Sequence, residues 1–360
     1  MLDFLMGLSE EDATFLSRIA IGFVVCLGAV IGSFLNVCIY RIPLGQSVSR
    51  PRSHCFSCGK TIPWYHNIPV LTWFILRGKC SNCRAPISFR YPVIEALTAI
   101  LFLLVFQMWG NPALLGLNPL SIPELIPIFW LFVASTVVNV MIDIDHRILL
   151  DRISIGGTLL MFAVSAAFPI LHGATGWFSG LLAAFGGALF GFALGFAIAF
   201  LGERIFLQDA FGFGDVKWMM LFGALFGWVG LLWIMLLASF LGLAMGCGVL
   251  IYNRLKGLSD ERAVAIPFGP ALGLSALLWL FWGQALLTAF ISLRSWVLMH
   301  EQGVLFCFVP LLCLMSAWLI FRIRMIRKYN REWMASEAEE GKPSAQVVHE
   351  SEEEGGTSHV

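Results

Sequence analysis

Long apolar runs alternate with short polar segments along this chain. A stretch that crosses a bilayer as a helix needs roughly 17–25 apolar residues. Nine runs meet that length, at about 18–40, 92–109, 122–142, 153–171, 177–201, 216–230, 231–251, 264–290 and 303–321. The sixth and seventh are short, adjoining and rich in glycine. The eighth opens on Ala265-Ile266-Pro267-Phe268-Gly269-Pro270, which reads as a proline-shaped entry turn. Beyond residue 322 the chain is first basic, then acidic and poor in apolar residues, a composition that does not bury a core. No internal repeat is visible.

Composition agrees with the pattern. The chain is 58% apolar and 13% charged, against about 45–50% and about 25% in soluble domains. This predicts an all-α polytopic membrane protein of about eight to nine transmembrane helices. The first residues lack the basic segment and small-residue cleavage site of a removable signal, so the first span is expected to remain. With the N-terminus outside, the segments 41–91, 143–152, 202–217, 252–266 and 322–360 face the cytoplasm. They hold 21 of the 23 Lys and Arg residues, all but Arg18 and Arg294. Positive charge marks the cytoplasmic side. The expected organisation is an anchor span (1–40), a cytoplasmic loop (41–91), a membrane bundle (92–290), a further span (291–321) and a cytoplasmic tail (322–360). The basic part of the tail suits lipid contact better than nucleic acid.

The cytoplasmic loop carries Cys55-Phe-Ser-Cys58 and Cys80-Ser-Asn-Cys83, with 21 residues between the pairs. Two CxxC knuckles at such a separation predict a tetrahedral zinc site. Four thiolates leave no position open for water, so the zinc would be structural. A reducing compartment argues against disulfides. The plainer alternative is four unrelated thiols, and His54 or His66 could replace a ligand. Cys26, Cys38, Cys247, Cys307 and Cys313 fall in apolar runs and read as small core residues.

Asp143, in VVNVMIDIDHRILLD, and Asp215, in FGFGDVK, each sit where an apolar run meets water on the cytoplasmic side. Ionisable groups at membrane segments are costly and are kept mainly for function. Two carboxylates at one depth, one protonated and one ionised around a water, are the minimum for aspartyl proteolysis. The plainer alternatives are a helix N-cap for Asp215 and a solvated helix end for Asp143, with Asp145 and Asp151 as competitors. Gly212 and Gly214 would give a backbone free to take positive φ and approach a substrate strand. Lys217 could steer a negative group or extend its charge to water. Glu95 opens the second span and either complements the helix dipole or serves a site. Asn36, at the inner end of the first, reads best as an interhelical hydrogen bond.

In order, GSFLNVCIYRIP, the two CxxC knuckles, NIPVLTWFILRGKCSNC, ISFRYPVIE, DIDHRILLD, GFGDVK and IPFGP resemble the bacterial type IV prepilin peptidases over roughly residues 20–275. The resemblance implies a GxGD aspartyl protease of the membrane with Asp143 and Asp215 catalytic. It implies cutting of the basic leader of type IV prepilins or type II secretion pseudopilins after a Gly, at the cytoplasmic face of the bacterial inner membrane. It further implies N-methylation of the new terminus with S-adenosylmethionine, a reaction associated with the cysteine loop. No Gly-rich nucleotide loop marks the S-adenosylmethionine site, and Glu95 and Asn36 are the candidates there.

Two departures stand out. The family usually has Pro before the last Asp of its first motif, where this chain has Leu150, so a looser turn is expected after Asp143. The family usually has eight spans, which makes the ninth extra. The chemical rival is a metal-dependent transferase acting on lipid phosphate through Asp143, Asp145 and Asp151. A non-enzymatic assembly relative is the other, and the retention of both aspartates argues against it.

Overall fold

The structure is a computed structural model that describes residues 10–110, 123–206, 211–256, 267–299 and 324–325. The expected span at 303–321 and nearly all of the tail lie outside those residues. The described chain is helical, without a strand. Its long helices are α1 (Glu10–Arg41), α3 (Arg90–Gly110), α4 (Ile126–His146), α5 (Asp151–Ala167), α6 (Trp177–Phe206), α7 (Phe213–Leu255) and α8 (Gly269–Met299), with a short α2 (Leu71–Ile75) in the cysteine loop. Six of them are long and apolar enough to cross a membrane.

α5 has 17 residues, just short of that length, and corresponds to the expected fourth span. α7 resolves the paired sixth and seventh runs. It has 43 residues, roughly 65 Å if straight, about twice a bilayer core. It is not straight. Gly227, with φ 69° and ψ 178°, breaks it. Met219 and Leu231 both lie against Gly191, although a straight helix would hold them about 18 Å apart. α7 is therefore a hairpin of two crossings that turns at Gly227, a conformation only glycine adopts cheaply.

Helix packing uses small residues, as is usual in lipid, where no hydrophobic force drives helices together. On α1, Gly28 and Gly32 form a GxxxG pair. A Cβ there would meet Ala99 Cα and Glu95 Cα of α3, both at 2.7 Å. On α6, Gly187, Gly191 and Gly195 run against Gly223, Met219 and Val216 of α7. The outward faces remain apolar, with Phe15, Ile19, Phe23 and Phe34 of α1 exposed. Of the described cysteines in apolar runs, Cys26 and Cys247 are also exposed and Cys38 is buried, contrary to the core reading for the first two, while Cys307 and Cys313 lie outside the described residues. A thiol costs little against lipid tails, so apolar periodicity does not separate the two settings.

The chain divides into two compact units, residues 1–195 with 213–288 and residues 196–212 with 289–360. In the second, Phe196 stacks on Phe200 and the Arg204 guanidinium lies over the Phe200 ring at 5.1 Å. Apart from Gly212, every residue singled out above for a site lies in the first.

Candidate active site and cysteine knuckle

Asp143 lies in the last turn of α4 and is 6% exposed, so it is not a solvated helix end. The backbone N–H of Gly269, at the start of α8, hydrogen-bonds to its carboxylate. A Cβ on Gly269 would overlap that carboxylate. The IPFGP segment thus does more than admit a helix. Its glycine lets the positive end of α8 reach Asp143.

Asp215 is 9% exposed and lies inside the first turn of α7, not at its cap. Gly273 of α8 relates the two acids. A Cβ there would strike Val140 and Thr136 of α4 and Trp218 of α7. Asp143 is one turn beyond Val140 and Asp215 one turn before Trp218. Since α4 ends where α7 begins, both carboxylates lie on the same side of this common contact.

The segment between α4 and α5 is tied down rather than loose. Arg147 takes a left-handed conformation (φ 57°) and its N–H returns to the Asp143 carbonyl at 2.9 Å. The Leu150 N–H donates to Asn139 Oδ1 at 3.3 Å. Proline has no N–H, so the residue expected to loosen the turn is one that anchors it. Leu149 then rests on Gly214, where a Cβ would approach to 3.1 Å. Gly214 is helical, so close approach to Leu149, not positive φ, explains the glycine. Gly212 lies exposed just before the helix.

The neighbouring acids are otherwise engaged. Asp145 is paired with Arg90 at 2.7 Å, and Asp151 with Lys217 at 2.7 Å. Lys217 therefore neither steers freely nor merely extends to water. The lipid-phosphate reading needs Asp143, Asp145 and Asp151 around one metal. Among the described residues, the one group of His, Cys, Asp and Glu gathered closely enough for a metal is Cys55, Cys58, Cys80 and Cys83.

Those four sulfurs lie within 4.8 Å of one another. Cys55 Sγ and Cys83 Sγ are 3.7 Å apart, close to the edge of roughly 3.8 Å that a tetrahedron with Zn–S of about 2.3 Å requires. The knuckles are conformational copies. Each closes by a pair of backbone hydrogen bonds, Cys55 with Lys60 and Gly59, Cys80 with Ala85 and Arg84. Each ends on a left-handed residue, Gly59 (φ 69°) and Arg84 (φ 62°). The Lys60 backbone N–H lowers the Cys58 thiol, and the Cys83 and Asn82 backbone N–H groups bring Cys80 down to about 6. At Cys83 the Ala85 N–H pulls the same way, but desolvation and three neighbouring sulfurs outweigh it and raise the thiol to about 11. Amides that favour thiolates, in a cluster that cannot ionise fully alone, suit a divalent cation. His54 Nδ1 instead faces the Arg52 carbonyl at 3.1 Å.

Between this knuckle and the inner ends of α1 and α3 lies a cavity of about 880 Å³. Asn36 and Glu95 both line it. Asn36 Nδ2 donates to the Tyr91 carbonyl at 3.2 Å, the expected interhelical bond. Glu95 is 8% exposed and accepts from the Val70 N–H at 2.6 Å and from Ser33. Val70 has φ 62°, which costs a β-branched residue about 1–2 kcal/mol and is sustained by Glu95. Of the lining residues, His66 and Thr72 each carry a buried atom, Nδ1 and Oγ1, with no hydrogen-bond partner among the described residues. Volume and lining fit S-adenosylmethionine.

The described residues define a multi-pass helical membrane protein with two buried carboxylates towards one end of its bundle and a four-cysteine knuckle in the loop between α1 and α3. Comparison places it more narrowly. The Bacterial Peptidase A24 N-terminal domain matches residues 26–109 and the Type IV leader peptidase family residues 126–247. The prepilin leader peptidase/N-methyltransferase of Myxococcus xanthus is 36% identical over 253 residues, 69% of each chain. That of Aeromonas hydrophila is 31% identical over 309 residues, 78% of this chain and 97% of its own. The type 4 prepilin-like proteins leader peptide-processing enzyme of Escherichia coli O78:H11 is 34% identical over 272 residues, 69% of this chain and 89% of its own. The chain belongs to the type IV leader peptidase family. No solved structure matches it.

Proposed function

We propose that this enzyme removes the basic leader of type IV prepilins or type II secretion pseudopilins at the cytoplasmic face of the bacterial inner membrane, and then methylates the new N-terminus. The burial of Asp143 and Asp215 one turn from a shared contact carries the reading. Two close carboxylates do not both ionise cheaply, so they share a proton. The ionised one takes a proton from water. The protonated one polarises the Gly carbonyl, the water oxygen bonds to its carbon, and the amide C–N bond then breaks with a proton passing to the leaving amine. Gly214 would let the scissile strand approach the start of α7, and Lys217 sets the neighbouring Asp151.

The four cysteines would hold a structural zinc that shapes the loop over the inner ends of α1 and α3. S-adenosylmethionine, when bound, supplies the methyl group. Glu95 and Asn36 face the cavity that would take it. The Arg90–Asp145 pair joins the start of α3 to the end of α4 and holds the two halves at one level.

The test is mass spectrometry of a synthetic prepilin incubated with the detergent-purified enzyme and S-adenosylmethionine. The expected product has lost its leader and gained one methyl. Asp143→Asn and Asp215→Asn should each abolish cleavage in folded, zinc-loaded protein. Near wild-type cleavage by Asp143→Asn would sink the assignment.

A further inference from the structure

Arg41 ends α1 and is a largely buried residue, 7% exposed. It donates from Nη1 to the Ser47 carbonyl at 3.0 Å. Among the described residues no Asp or Glu pairs with it, the two ion pairs being Arg90–Asp145 and Lys217–Asp151. A guanidinium has five N–H donors in a planar fork that matches a carboxylate. A buried charge without a counter-ion is costly and is normally paired. Among the described residues its side chain makes that one hydrogen bond, which a neutral donor would serve equally. Arg41 lines the cavity of about 880 Å³.

The rest of the wall sorts by chemistry. Tyr40 and Phe56 lie with ring centroids 4.9 Å apart and planes tilted by 55°, and a free face of either ring could take a planar base. Glu95 supplies the one carboxylate of the lining, suited to a cationic group. An aromatic platform, a buried cation and a carboxylate complement a ligand made of a purine nucleoside and an amino-acid zwitterion.

We propose that Arg41 binds the α-carboxylate of S-adenosylmethionine and is the residue that selects the methyl donor by its amino-acid end. The proposal rests on the cavity being the donor site, as in the functional reading above. The carboxylate could instead come from the prepilin, and a binding measurement without prepilin separates the two.

The experiment titrates the zinc-loaded, full-length enzyme in detergent with S-adenosylmethionine and with decarboxylated S-adenosylmethionine, by calorimetry. A charge-assisted bidentate contact is worth about 10- to 100-fold in affinity. The wild-type enzyme should prefer the intact donor by that factor. Arg41→Gln should bind both ligands equally, at the weaker affinity, with zinc content unchanged. Equal binding of both ligands by the wild-type enzyme overturns the proposal while leaving the donor cavity in place, and needs no variant to fold. A preference kept by Arg41→Gln likewise overturns it. If the wild-type enzyme binds neither ligand, the donor-cavity reading itself falls and the proposal with it.

Discussion

The backbone N–H of Gly269 hydrogen-bonds to the carboxylate of Asp143 across the gap between α8 and α4. The residues are far apart in sequence, and the contact exists because position 269 has no side chain. Gly269→Ala would put a methyl group where the carboxylate lies and drive the two helices apart. Loss of one preorganised donor in an active site costs about 10²- to 10³-fold. We expect initial rates of leader cleavage to fall by about 100-fold in Gly269→Ala, with zinc content unchanged. Cleavage within a few-fold of wild type would show that this donor does not set the acid.

Leu150 holds the turn after Asp143 through its own N–H, given to the wholly buried Asn139. Leu150→Pro would bring in the residue the family usually carries, yet remove the donor and leave Asn139 Oδ1 unsatisfied. A buried acceptor stripped of its partner costs about 1–3 kcal/mol. Thermal unfolding in detergent should show a loss of that size for Leu150→Pro. It should shrink in the Asn139→Leu background, because the orphaned acceptor is gone. Equal losses in both backgrounds would mean the hydrogen bond is not what ties the turn.

Within the described residues, the spans, the four-cysteine set and the two buried aspartates were legible because each is a local pattern: length of apolar run, CxxC spacing, acids at the edge of apolar segments. The roles of Gly269, Asn139 and Arg41 were not. Each depends on what a distant helix brings, and a Gly before Pro, an Asn in an apolar run or an Arg after one looks alike whether paired or free. The glycines of α6 were a missed signal. Gly187, Gly191 and Gly195 recur every fourth residue, the spacing of one helix face. The two runs of α7 and the division between them were legible to within a few residues, but the residue at the turn was not, because many glycines crowd the region and only Gly227 carries positive φ there.

Removal of the knuckle metal should divide the two reactions. The four cysteines lie beside the donor cavity, and Cys55 and Cys80 also line it. The aspartates sit on α4 and α7 and draw no ligand from the loop. Cys58→Ser breaks the sulfur set at one corner. Methyl transfer should fall at least about tenfold further than cleavage, in proportion to zinc lost, with structural sites depending on the full set. Both products can be counted in one mass spectrum. Equal loss of the two activities would place the metal in the stability of the whole fold.

The α6 glycine stripe sets the height of Asp215. Gly195 lies against Val216, the residue next to Asp215, and a Cβ there would come to 3.2 Å from the Val216 backbone. Gly191 meets the Met219 carbonyl one turn on. Gly195→Val adds three carbons where there is no room, and overpacking of this kind costs about 1–3 kcal/mol. The strain falls on the first turn of α7, so it should appear in catalysis as well as stability. We expect Gly195→Val to lower both the melting temperature and the cleavage rate. Gly186→Val on the same helix, where a Cβ meets nothing within 4 Å, should change neither. A normal cleavage rate in a destabilised Gly195→Val enzyme would separate the stripe from the acid, and place Asp215 under the control of α7 and α8 alone.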